Sequence, residues 1–150
     1  MTEEADLSAD QTTLGVLYRV ALFADIGPAT LQDIAGIARR LSFDEGDTVY
    51  ELGESADDIY LLETGRVRFT LGVGNRPASC GSIMVSYMVF GWAALVDDQP
   101  RRIATALCLE PSSMLAINGE KLLQVFGRDT QAGFLVMRRI AAMVAHNFTS

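Results

Sequence analysis

The sequence predicts an α+β domain in which an antiparallel sandwich or barrel is flanked by helices at both ends. Three observations predict it. Apolar residues recur at helical spacing up to Leu41, the period changes to two from Ser42, and helical spacing returns after Asn118. With 150 residues, 49% hydrophobic and 21% charged, the chain suffices for one core-bearing domain over residues 1–150 and argues against disorder or a two-domain enzyme.

Helices are expected over about residues 8–41, strands over 42–117 and helices over 118–148. Leu14, Leu17, Tyr18, Ala21 and Leu22 form one face of a first helix, with Ser8, Asp10, Thr12 and Thr13 as candidate caps. Asp25-Ile26-Gly27-Pro28 ends it, and Pro28 opens a second helix with the face Leu31, Ile34, Ala35, Ala38 and Leu41 and with Arg39 and Arg40 in its last turn. Glu45-Gly46, Leu52-Gly53-Glu54 and Glu63-Thr64-Gly65 then punctuate short strands. Val67, Phe69 and Leu71 should point inward and Arg66, Arg68 and Thr70 outward, followed by a loop at Gly72 to Asn75. Ile83 to Val89 reads as a strand buried on both faces, and strands near Ile103 to Leu109 and Ser113 to Ile117 complete the sheet. Asn118 caps a helix carrying Leu122, Leu123 and Phe126, and Asp129 or Thr130 caps the last. In that helix Phe134, Met137, Ala141, Val144 and Phe148 follow the three-four spacing of a helix-pairing seam, so a homodimer through the last helix is expected.

The net charge of -7 disfavours nucleic acid, because a phosphate backbone repels such a surface. Cys80 and Cys108 are too few for a disulfide framework, and the acidic start lacks a secretory signal, so the expected compartment is the cytoplasm. The uncharged run from Pro77 to Val96 approaches membrane-spanning length, yet its serines, glycines and proline mark it as core. His146 is the only histidine and neither cysteine is near it in sequence, so no metal or other cofactor is expected. Phosphate-loop and dinucleotide fingerprints are missing, and Asp57, Asp58 and Glu63 have no nucleophile or histidine beside them; the chain does not read as an enzyme.

One constellation is more specific. Glu45-Gly46-Asp47-Thr48-Val49, Leu52-Gly53-Glu54, Asp58-Ile59-Tyr60-Leu61-Leu62 and Gly65-Arg66-Val67 precede Phe90-Gly91-Trp92-Ala93-Ala94-Leu95 and Pro100-Arg101-Arg102-Ile103-Ala104-Thr105. This pattern resembles the cyclic nucleotide-binding domain family, the effector domain of the catabolite activator protein type. The likeness is to small single-domain bacterial members with a variant cassette. The resemblance implies an antiparallel β-roll, or jelly roll, and a regulatory rather than catalytic role. It also implies a phosphate-binding cassette drawn from Phe90, Gly91, Trp92, Ala93, Ala94, Arg101, Arg102, Ile103, Ala104 and Thr105, taking cyclic AMP, cyclic GMP or another small anion. Backbone N–H groups near Gly91 and one arginine would replace the water lost by a desolvated phosphate diester. Arg102 is the first choice because Ala104-Thr105 follow it in the family's pattern; Arg101 is the alternative.

The sequence departs from that pattern where the family carries a glutamate for the ribose 2′-hydroxyl, since Trp92 stands there. An indole donates one hydrogen bond and accepts none. Trp92 is expected first to plug the pocket, with stacking on a purine or contact with a second protomer as alternatives. Ile103 replaces a polar residue, and Tyr87 and Met88 replace a glycine and an acidic pair. A different ligand, or a ligand-free dimerisation module, therefore stays open. The transcription-factor relatives continue into a DNA-reading helix-turn-helix, for which no segment follows Phe148, so any output is expected to pass through an unknown effector protein or self-association.

Overall fold

The computed structural model describes residues 12–73 and 76–149, with the side chains of 72–81 and 147–149 outside that description. Helix α1 covers 12–19, a 3-10 turn Ala21–Phe23 follows, and α2 is Pro28–Ile37. Among the described residues eight strands come next: β1 Ala38–Phe43, β2 Thr48–Tyr50, β3 Asp58–Thr64, β4 Val67–Val73, β5 Arg76–Met84, β6 Val89–Phe90, β7 Thr105–Cys108 and β8 Ser112–Asn118. The short helix α3, Ala93–Val96, separates β6 from β7, and α4 Gly119–Arg128 and α5 Thr130–Thr149 close the chain. All strand pairs are antiparallel, in two four-stranded sheets ordered β1-β8-β3-β6 and β2-β7-β4-β5. The fold is the helix-flanked β-roll that the sequence predicts.

The first sheet separates two cores. Ile59, Leu61, Leu115 and Ile117 face the helices and pack with Leu17, Phe23, Ile34, Leu122 and Ile140. Their neighbours Tyr60, Leu62, Met114 and Ala116 face the second sheet and pack with Tyr50, Val67, Phe90, Ala106 and Cys108. Burial of the thiol pushes Cys108 above its ordinary pKa, so it behaves as a small apolar side chain. Period-two alternation thus sends successive residues of β3 and β8 into different cores.

Three expectations are corrected. The second helix ends at Ile37, and Ala38–Phe43 is a strand pairing with β8 from Ala38↔Ile117 to Phe43↔Ser112. The ladder, with Arg39 paired to Asp58 and Arg40 to Glu63, outweighs the local helical spacing. Secondly, Ile83 to Val89 is not one doubly buried strand. The chain leaves β5, an edge strand, turns at Val85 to Met88 and re-enters the other sheet as β6, leaving Ile83 and Val85 exposed. The doubly covered strands are β3 and β8. Thirdly, Leu71 and Leu123 are exposed and Thr70 is buried, and Gly72 and Val73 extend β4 rather than opening a loop; Gly74 and Asn75 lie outside the described residues.

The caps conform to expectation. Asn118 accepts a hydrogen bond from the Lys121 N–H, and Asp129 accepts one from the Ala132 N–H at 3.1 Å. The Thr30 hydroxyl donates to Asp129 at 2.6 Å, and these two hydrogen bonds, Thr30's first, hold the Asp129 carboxyl below its ordinary pKa. A lowered pKa means that its stabilising contribution is present above the ordinary carboxylate pKa and is lost as pH falls through the native value. Asp129→Asn should therefore lower stability at neutral pH, change little at acid pH where the carboxyl is protonated, and so flatten the acid limb of the stability–pH curve, as thermal melts across pH will read.

Candidate functional site

The predicted cassette begins where β6 ends. Gly91 lies at φ +77, a conformation that glycine adopts without steric cost. A Cβ there would lie 3.0 Å from both Arg102 Nη1 and Tyr60 Cδ2, and 3.2 Å from the Asp58 carbonyl oxygen. The chain can pass so close to these groups only without a side chain. Within the following turn, Ala94 N–H reaches the Gly91 carbonyl at 3.4 Å, and Leu95 N–H reaches that of Trp92 at 3.0 Å. Phe90 and Leu95 are buried, whereas Ala93 and Ala94 are half-buried.

The two candidate arginines have opposite fates. Arg101 is exposed and donates to the Gly53 carbonyl at 3.3 Å. Arg102 is only 4% exposed and points between the sheets. Its Nη1 donates to the Gly91 carbonyl at 3.0 Å and its Nη2 to the Asp58 carbonyl at 2.7 Å. The guanidinium carbon lies 4.1 Å from the Tyr50 ring centroid and 5.6 Å from that of Tyr60. Its Nε has no hydrogen-bond partner among the described residues. None of the four ion pairs among the described residues involves it. A buried cation is thus held by neutral carbonyl dipoles and ring faces, which lower its desolvation cost without neutralising its charge.

Around the guanidinium lies an aromatic group that the sequence did not bring together. Tyr60 stacks on Phe90 with centroids 5.3 Å apart, Phe69 meets Phe90 edge-on at 5.8 Å, and Tyr50 lies 5.8 Å from Tyr60. Burial first, then the charge of Asp58, pushes the Tyr60 hydroxyl above its ordinary pKa against the opposing pull of Arg102, so the phenol stays neutral. Phe69 reads as inward-facing by alternation and Phe90 as part of the cassette, but nothing in the sequence joins them to Tyr50 and Tyr60. The pairing Tyr60↔Phe90 is long-range and leaves no local mark.

Trp92 does not plug the space between the sheets. It flanks the start of α3, packs against the helical core and, with Val96, Met137, Ala141 and Val144, lines an open groove of about 440 Å³. The aromatic group occupies the interior instead. Of the remaining cassette residues, Ile103 is 77% exposed, Ala104 is buried, and the Thr105 hydroxyl accepts from the Leu52 N–H at 3.0 Å. On α5, Met137 and Val144 are half-buried, Ala141 and Phe134 are exposed, and the Phe148 side chain lies outside the described residues. Val136 and Ile140, one step round the helix, fill the core. The predicted seam is therefore the outer edge of α5's packed face. No helix among the described residues is long and apolar enough to cross a membrane, and no metal-ligating cluster of three occurs among them.

The sensor domain of the transcriptional regulator DNR from Pseudomonas aeruginosa superposes with a TM-score of 0.80 at 19% identity, covering 94% of each chain. The regulatory domain of Toxoplasma gondii PKA, crystallised with cAMP, gives 0.79 at 18% identity over 93% of this chain and 52% of that one. The Thermus thermophilus catabolite activator protein gives 0.71 at 23% identity over 85% and 58%. A search of curated proteins finds no significant match. Across residues 40–129 the sequence matches the profile of the cyclic nucleotide-binding domain. With that match spanning most of the chain, and the β-roll and Gly91–Arg102 arrangement as described, the protein belongs to the cyclic nucleotide-binding domain family.

Proposed function

We propose that this single domain is a non-catalytic cytoplasmic sensor whose β-roll binds a small anion of the cyclic nucleotide class, cyclic AMP or cyclic GMP, through Arg102 and the backbone after Gly91. The observation that carries the reading is the buried guanidinium with an unpartnered Nε and no carboxylate partner. An anion seated there would replace neutral acceptors with a full countercharge, and charge-assisted hydrogen bonds are about twice as strong as neutral ones. The cAMP complex of the Toxoplasma gondii regulatory domain supports the ligand class. Occupation would bias α3 against α4 and α5 and pass the signal through a homodimer along Phe134, Met137, Ala141, Val144 and Phe148, or to a partner protein. The remaining cassette residues Phe90, Trp92, Ala93, Ala94, Ile103, Ala104 and Thr105 shape the site, with Arg101 at its rim.

A second reading, a ligand-free dimerisation module, is favoured by the aromatic packing around Arg102. Titration with cyclic AMP and cyclic GMP, read by the fluorescence of Trp92, separates the two. Saturable binding that weakens by about tenfold in Arg102→Ala is expected from the loss of one charge-assisted contact. No response at millimolar nucleotide, together with a dimer that persists on dilution, would establish the second reading.

A further inference from the structure

We infer, resting on the sensor reading, that Asp58 is a specificity-determining residue of the proposed site: its carboxylate, held by Arg39, accepts a hydrogen bond from a hydroxyl that the ligand carries beside its anionic group.

Strand register puts Asp58 at the site. Arg39 lies opposite Ala116, Ala116 opposite Tyr60 and Tyr60 opposite Phe90, so these four form one row across the first sheet, on the face turned to the second sheet. Asp58 shares that face with Tyr60, two residues away on β3, and lies one pleat nearer Gly91. Its carbonyl accepts from Arg102 Nη2 at 2.7 Å and would stand 3.2 Å from a Cβ at Gly91. Its carboxylate is mostly buried and accepts from Arg39 at 2.7 Å instead. The Tyr60 hydroxyl, pushed up chiefly by burial and then by the Asp58 charge, is drawn the other way by Arg102 and Arg39, so all three charged groups lie within electrostatic reach of one phenol.

This placement separates two tasks. Arg39 takes the Asp58 charge, which makes no ion pair with Arg102, so the buried guanidinium keeps its capacity for an anion. A carboxylate has about four lone-pair sites on its two oxygens, and Arg39 occupies one of them, at Oδ2. The side chains of Arg102 and Trp92 can only donate, whereas the Asp58 carboxylate can only accept. A 3′,5′-cyclic nucleotide asks for both beside each other, because its one sugar hydroxyl sits on the carbon next to one that bears a phosphate oxygen. Asp58 meets that demand by touching Arg102 with its backbone while presenting its side chain as the acceptor.

Calorimetric titration of the parent and of Asp58→Ala with cyclic AMP and with its 2′-deoxy analogue tests this. The parent should bind the hydroxyl-bearing nucleotide roughly tenfold more tightly, the effect of one charge-assisted hydrogen bond. In Asp58→Ala, cyclic AMP should weaken roughly tenfold and the analogue should not, so that the preference disappears; a merely structural role would weaken both alike. Asp58→Asn, of the same shape but with a neutral acceptor, should keep a reduced preference and decides the matter should the alanine variant fail to fold. Equal binding of the two nucleotides by the parent, an undiminished preference in the variants, or equal weakening of both overturns the role of Asp58 and leaves the sensor reading standing. Binding of neither nucleotide by the parent overturns the sensor reading, and the role of Asp58 with it.

Discussion

Phe90→Ala is expected to cost about 3–5 kcal/mol of unfolding free energy, the usual range for a fully buried aromatic truncated in a packed core. Phe90 is 1% exposed, stacks on Tyr60, meets Phe69 edge-on and pairs in register with Tyr60 across β3 and β6. β6 has only two residues, so its side chains, rather than its ladder, hold it. The cavity would open beside the guanidinium, which makes the substitution a structural and a functional lesion at once. Urea unfolding followed by circular dichroism measures the loss. A cost below about 1 kcal/mol would mean that the interior collapses around the missing ring instead of depending on it.

Gly119→Ala should be the most damaging replacement of a single hydrogen by a methyl outside the roll. Gly119 opens α4, and its N–H donates to the Asp57 carbonyl at 2.9 Å. An added Cβ would overlap the Ala94 carbonyl oxygen and come within 2.9 Å of its carbon. Backbone, unlike the end of a flexible side chain, cannot step aside cheaply, so α3 must lift from α4 or α4 must shift. The expected cost is about 3 kcal/mol, at the upper end for overpacking. Because α3 follows directly on Gly91, weaker nucleotide binding should accompany the loss of stability, as titration of the variant at low temperature will show. Full stability in the variant would mean that α3 does not rest on α4 in solution.

The order of helices, strands and helices was legible because each has its own hydrophobic period, and Asn118 and Asp129 were legible as caps because capping is a local event. Arg102 was singled out by its position before Ala104-Thr105, and of the two neighbouring arginines it is the buried one. Ala38 to Phe43 was misread because Leu41 continues a helical face, whereas the ladder to β8 that decides its fate is formed by residues far along the chain. The direction of Trp92 was equally hidden. Nothing near it in sequence announces that α5 will lie alongside, and the tyrosines that fill the interior carry no spacing signature.

The first sheet turns Tyr60, Leu62 and Met114 to one side and Ile59, Leu61, Leu115 and Ile117 to the other. A slip of β3 by one residue would exchange Tyr60 with Ile59 and drive a hydroxyl among the helices while emptying the roll. Misalignment is therefore penalised twice, once on each side of the wall, and the chain has no half-correct way to assemble it.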